Sequence, residues 1–266
     1  MDGSKDVRES IIAGSWYPGR KEDLIKAVDG FLKNVAAEKL GKTKALIAPH
    51  AGYVYSGQVA AYSYGQIKEG KYKKVIILAP THHFSFRGAA LSDKTHYRTP
   101  LGEVPISDVS REMMKECKLI KFVPHADEQE HSLEIQLPFL QRVLGVFEVI
   151  PLVIGQLSES DREELAGLLI RHLDEDTLIV ASTDLSHYYP YDTAVDIDKE
   201  CTDAVVKLDI DKAEGCEMCG INPVLVTMMI AKKLSWKTKL LKYENSGDVT
   251  GDTTGVVGYA AIAFYV

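Results

Sequence analysis

The chain has 266 residues, 45% hydrophobic and 26% charged, with 31 Lys and Arg against 38 Asp and Glu for a net charge of −7. That balance argues against a general nucleic-acid binder and against electrostatic attachment to an anionic membrane, and no apolar run approaches the length of a membrane span. Four cysteines make no secreted disulfide framework at this length, and the polar Met1–Glu9 start lacks a signal-peptide apolar region, so a reducing cytoplasm is the expected location.

Residues 1–20 read as irregular, with a turn-rich aromatic patch at Gly14-Ser15-Trp16-Tyr17-Pro18-Gly19 in which Trp16 is expected to anchor the arm on the core. Lys21–Leu40 reads as a helix because Leu24, Ile25, Val28, Phe31, Leu32 and Val35 share a face, with Gly41 as its stop. Lys44–Ala48 and Lys74–Ala79 read as central strands flanking a small-residue helix, Ser56–Ile67. Ser92–Gly102 reads as a polar turn forming part of a rim, and Asp108–Cys117 as a helix capped by Ser107 or Asp108. His131–Leu144 is helical in pattern, with Pro138 predicting a kink or a late start.

Glu148–Ile154 and Thr177–Ala181 are two further strands, separated by a helix near Asp161–Leu173 that Ser158 or Ser160 can cap. Ala194–Leu208 and Asn222–Lys233 read as helices. Trp236–Tyr243 and Val256–Val266 read as closing strands, antiparallel in one reading, joined by a Gly-, Asp- and Thr-rich loop over Asn245–Gly255. The alternation predicts an α/β fold with a mostly parallel central sheet flanked by helices. No repeat, low-complexity tract or linker divides it, so one domain over residues 1–266 is expected.

Two stretches share a design. Ile47-Ala48-Pro49-His50-Ala51-Gly52-Tyr53 and Val75-Ile76-Ile77-Leu78-Ala79-Pro80-Thr81-His82-His83 each run from a buried strand through a proline to histidine. Open α/β folds place ligands at such C-terminal strand ends. If the two strands are neighbours, His50 and His82 project into one crevice, and imidazoles there suit a metal with open coordination. Backbone alternation lets only one of His82 and His83 point inward.

A third strand end, Ser182-Thr183-Asp184-Leu185-Ser186-His187, offers Asp184 as a carboxylate that orients the His187 imidazole, as general base or as support to a metal. In Glu130-His131-Ser132-Leu133-Glu134, His131 is a further binding candidate, although a helix start explains the acidic residues equally well. Cys216-Glu217-Met218-Cys219 lacks the second cysteine pair of a structural zinc site and the strand context of a redox motif, but one of its thiols could complete a His-His-Cys set. No G-x-S-x-G elbow and no phosphate-binding glycine motif is present.

Taken together, Ala13-Gly14-Ser15-Trp16-Tyr17, the His50 and His82 stretches, Glu130-His131-Ser132-Leu133-Glu134 and Ser182-Thr183-Asp184 resemble the Memo family, labelled in prokaryotes AmmeMemoRadiSam system protein B. The resemblance spans nearly the whole chain. It implies a class III extradiol dioxygenase-like fold and metal ligands at His50, His82 and Cys219. It also puts Asp184 and His187 at the same site, with His187 in the place of the dioxygenases' catalytic base. Those enzymes use two histidines and a carboxylate for Fe(II); a cysteine in third place shifts preference toward copper or zinc, so ring cleavage does not follow from the fold. Glu217 is the one nearby carboxylate that would substitute.

The expected cofactor is one divalent transition metal, iron first, with copper or zinc as alternatives. The expected activity is a metal-dependent redox step of non-haem iron type. A rival reading is a non-catalytic module binding a peptide or buffering metal, with Tyr53, Tyr55 and Arg87 on the rim. A third is a zinc hydrolase with a metal-activated water. The expected partner is a small molecule or peptide, and the prokaryotic family label implies association with a radical-SAM protein.

Overall fold

The apolar runs predicted as strands are buried on both faces because helices cover both sides of the sheet they form. The structure, a computed structural model, describes residues 5–68 and 70–266. In chain order its elements begin with β1 (Val7–Arg8), α1 (Lys21–Lys33), β2 (Thr43–Ala48), α2 (Tyr53–Gly65) and β3 (Lys74–Pro80). There follow β4 (Ala89–Leu91), β5 (His96–Thr99), β6 (Gly102–Pro105), α3 (Val109–Glu116), β7 (Ile120–Phe122), α4 (His131–Glu134) and α5 (Leu137–Leu144). The chain continues through β8 (Glu148–Ile154), α6 (Glu159–Arg171), β9 (Thr177–Ser182), β10 (His187–Tyr189), α7 (Tyr191–Val206) and α8 (Ile210–Glu214). It closes with α9 (Ile221–Lys233), β11 (Lys237–Asn245), α10 (Ser246–Thr250) and β12 (Val256–Tyr265).

The large sheet has the order β10-β12-β2-β9-β3-β8-β4-β7, with β11 also paired to β12. β2, β9, β3 and β8 run parallel, and β12 and β4 join them antiparallel at either side. β2 and β3 are therefore not neighbours: β9 lies between them. Residues alternate along each parallel strand between two apolar layers. Ala45, Ile47, Ile76, Leu78, Ile150, Leu152 and Ile179 pack toward α6, α7 and α9. Leu46, Ala48, Val75, Ile77, Val149 and Val180 pack toward α1, α2 and α5. A separate three-stranded sheet, β1-β5-β6, carries the N-terminal arm.

Several predicted boundaries shift for physical reasons. The first helix stops at Lys33 rather than Leu40, and beyond it the backbone N–H of Glu38 donates to Gln66 Oε1 (2.9 Å) on the segment after α2. α2 starts three residues before Ser56, with Gly52 as N-cap. Pro138 acts as a late start, dividing the predicted helix into α4 and α5. Ser158 caps α6 in a reciprocal capping box with Asp161. The Ser92–Gly102 stretch is no rim: it contains β5 and pairs with β6 and β1 in the small sheet. The Asn245–Gly255 loop contains α10.

Candidate metal centre

The C-terminal ends of β2, β9 and β3 lie side by side and carry the polar residues. Because β9 intervenes, the ends of β2 and β3 are roughly 10 Å apart, and the two imidazoles lean over β9 to meet. Their ring centroids are 5.1 Å apart, nearly perpendicular. Cys219 arrives from the other side, in the loop before α9. That approach depends on Gly220, where a Cβ would sit 2.3 Å from the Ser182 carbonyl oxygen. Ligand atoms of His50, His82 and Cys219 all lie within 4.8 Å of one another.

The hydrogen bonds fix which imidazole nitrogen is free. Ser182 Oγ donates to the Ser132 carbonyl (2.7 Å) and accepts from Gln136 Nε2 (2.8 Å), so its proton is committed. His50 Nδ1, 2.9 Å away, must then donate to Ser182 Oγ, leaving the Nε2 lone pair facing Cys219 Sγ at 3.1 Å. His82 Nδ1 lies 2.9 Å from Glu130 Oε1, and a carboxylate accepts, so His82 Nε2 is free as well. Glu130 also accepts the backbone N–H of His82 (2.7 Å) and of Ser132 (2.9 Å). Burial alone would raise the Glu130 carboxyl, but the bonds from His82 and Ser132 outweigh it and hold the group at about 2.

The remaining groups are tuned by burial. It lowers the fully buried His50 to about 3, with His82 adding to the effect, so the ring is neutral. It pushes the Cys219 thiol up to about 12, with the Asp184 carboxylate reinforcing the shift. Asp184, raised by burial to about 6, does not hold His187: its Oδ1 accepts the His50 backbone N–H (2.7 Å), and its own N–H donates to Cys219 Sγ (3.2 Å). The expected Asp184–His187 pair is replaced by a clamp that joins two ligand-bearing segments. Among the described residues the His187 ring makes no hydrogen bond. Two histidines whose Nδ1 atoms are engaged by Ser182 and Glu130, with Nε2 turned away from those supports, and a buried thiol are a donor set that fits a transition metal.

Above this floor is a cavity of about 490 Å³ lined by Trp16, Tyr55, His131, His187, Tyr188 and Tyr259 among others. Tyr188 holds a left-handed backbone (φ 63°) and is 79% exposed at the mouth, a conformation that a non-glycine residue seldom adopts. His131 faces the cavity with its ring 4.6 Å from that of His82 and 4.3 Å from that of Trp16; burial lowers its pKa to about 3, with His50 adding to the effect. Tyr17, not Trp16, anchors the N-terminal arm: it is buried and donates to Glu134 Oε1 (2.7 Å). Arg8 pairs with the same carboxylate in the interior, an ion pair whose disruption typically costs about 3–5 kcal/mol.

Two predicted rim residues lie elsewhere. Tyr53, in the first turn of α2, points inward; its hydroxyl donates to the Ile135 carbonyl (2.8 Å) and its ring packs near Phe139. Arg87 makes a bidentate pair with Asp161 at the start of α6 (2.9 and 2.7 Å) and does not line the cavity. Glu217 accepts from Tyr189 (2.8 Å) and is absent from the donor cluster. Sequence reasoning missed Ser182, Gln136 and Glu130 as supports of the two histidines. The one available signal was a carboxylate directly before His131.

A family model described as "Memo-like protein" matches residues 8–263. The chain is 34% identical to a MEMO1 family protein of Sulfolobus acidocaldarius, covering 97% of this chain and 99% of the relative. It is 35% identical to MEMO1 family protein MK0963 of Methanopyrus kandleri, covering 97% and 98%. Among solved structures, an uncharacterized protein from Escherichia coli K12, JW3007, superposes with a TM-score of 0.53 at 12% identity, over 84% of this chain and 99% of that one. That likeness speaks to the fold alone.

Proposed function

The chain belongs to the Memo family, and on that premise we propose that it is a metal-dependent oxidoreductase acting on a small organic substrate. His50, His82 and Cys219 would hold one divalent transition metal, iron first. The single observation that carries the reading is the convergence of three donor atoms within 4.8 Å beneath an aromatic cavity that also presents His187. When bound, the metal supplies redox equivalents and Lewis acidity at the cavity floor.

The protein's own groups do the rest. Glu130 and Ser182 keep the Nδ1 protons in place, so both Nε2 atoms stay available. Trp16, Tyr55, Tyr188 and Tyr259 offer ring faces to a flat substrate. His187, whose ring makes no hydrogen bond among the described residues, takes or returns the substrate proton. His131 sits where it can donate a hydrogen bond to an oxygen of the substrate. A thiolate in third place distinguishes this centre from a facial triad of two histidines and a carboxylate, which is why ring cleavage is not assigned.

Elemental analysis of protein purified without oxygen, beside Cys219→Ser, tests the reading. Stoichiometric iron that is lost in the variant supports it. Zinc in the native protein would replace it with hydrolysis, tested by anaerobic ester turnover. Absence of any stoichiometric metal would overturn it in favour of a binding module.

A further inference from the structure

The fold divides Cys216-Glu217-Met218-Cys219. Cys219 turns toward the end of β9, where its Sγ meets Asp184 N and His50 Nε2. Cys216, just past α8, turns the other way, into a cavity wall that it shares with Cys201 of α7. Cys201 is buried and Cys216 half-buried, and both face one cavity of about 680 Å³ whose walls include Glu200, Lys212 and Glu217. The cavity gives small polar molecules access to the pair.

The two thiols are not equivalent. Cys216 is half-buried and donates to the Lys212 carbonyl (3.7 Å), whereas Cys201 is buried; their proximity lowers Cys216 and raises Cys201. The accessible cysteine is the one that peroxide meets first, and a second thiol stands in the wall of the same cavity. A low-pKa, accessible cysteine next to a resolving one is the arrangement found in thiols that react reversibly with peroxide. The centre at Cys219 makes no use of either.

We propose that Cys201 and Cys216 are a peroxide-oxidisable dithiol, with Cys216 as the attacking and Cys201 as the resolving residue. The Cys216 thiolate attacks one oxygen of hydrogen peroxide, the O–O bond breaks, and hydroxide leaves, giving a sulfenic acid. Cys201 then gives up its proton and attacks the Cys216 sulfur; the S–S bond forms and the sulfenic oxygen leaves as water. In total, two thiols and one hydrogen peroxide give one disulfide and two waters, with two electrons passing from sulfur to peroxide. An external dithiol reverses the step by exchange. The inference is independent of which metal, if any, the Cys219 centre holds.

The test uses the full chain, reduced, freed of reductant and then exposed to hydrogen peroxide. Trypsin cleaves at Lys207 and Lys212, between the two cysteines, and a glutamate-specific protease cleaves at Glu217, between Cys216 and Cys219, so a non-reduced double digest reports the linkage directly. The thiol titre is expected to halve from four to two, a Cys201–Cys216 linked peptide to appear, and dithiothreitol to restore both values. In Cys201→Ser the linked peptide vanishes and a dimedone-reactive sulfenic acid persists on Cys216. If that variant does not fold, Cys216→Ser serves instead, with Cys201 expected to stay unreacted. A Cys216–Cys219 linked peptide, an unchanged titre, or a sulfenic acid on Cys216 that persists equally in the unmodified protein would overturn the proposal.

Discussion

His50 and His82 occupy equivalent places, each two residues past the end of a parallel strand, yet they are held by opposite means. His50 is 2% exposed and leans on a hydroxyl that is itself tied to Ser132 and Gln136. His82 has a side chain 28% exposed and leans on a carboxylate. Both arrangements fix the same tautomer. At His50 a neutral acceptor does so without burying a charge, whereas at His82 the ionised acceptor is itself buried and is held by the ring and two backbone N–H groups. The difference teaches that the centre is built asymmetrically around β9, and that removing either support should have a different signature.

The largest expected effect concerns the third ligand, which both halves share. With the metal-free thiol held at about 12, Cys219 carries its proton throughout the neutral range, and a metal must displace it. Binding therefore releases a proton, and raising the pH favours the bound state. Apparent affinity should climb about tenfold per pH unit, or about 100-fold between pH 7 and 9. Chelator competition at several pH values measures this. A flat profile would mean that the sulfur is not a ligand and that the two histidines act without it.

The asymmetry itself is tested by removing the supports one at a time. Glu130→Gln keeps the shape but withdraws the charge behind His82, and losses of about 10- to 100-fold in metal affinity are expected for such a change. Ser182→Ala leaves His50 Nδ1–H and one of the two Gln136 Nε2 hydrogens without a buried acceptor, the other staying on the Pro49 carbonyl, so its main cost falls on stability, about 1–3 kcal/mol, read as a lowered midpoint in urea. If Ser182→Ala instead lost more metal affinity than Glu130→Gln, the assignment of roles to the two halves would be reversed.

How much of this was legible beforehand depended on range. β2, β3, β8 and β9 could be read because a strand buried on both faces is a continuous apolar run. The placing of β9 between β2 and β3 could not, because strand order is decided by pairing between segments more than a hundred residues apart, and nothing local records it. β4, β7 and β10 are three residues each, too short to carry a period. Within the centre, His50 and His82 stood out by their shared position after a strand and a proline, while Cys219 was singled out through the family resemblance. Glu130 read as a helix-dipole partner because its other role depends on His82, far away in sequence. Tyr53 reads as a rim residue beside Tyr55; instead the helix begins there and its first turn carries the ring into the core.

The smallest effect expected lies at the cavity wall, and it sharpens the comparison from the outside. The chain has two tryptophans, and they report on different places. Trp16 stacks near His131, whose ring in turn lies 4.6 Å from that of His82, whereas Trp236 is buried beside Lys44, Ile170 and Leu173. Cobalt(II) added to the metal-free protein should quench Trp16 emission and leave that of Trp236 in place. In Trp16→Phe the quench should disappear while cobalt affinity, measured by chelator competition, changes by less than about tenfold, or ~1.4 kcal/mol. That pairing follows because the indole touches the His82 half through a ring and donates nothing to the metal. A quench that survives in Trp16→Phe would put the bound ion nearer Trp236, away from both histidines.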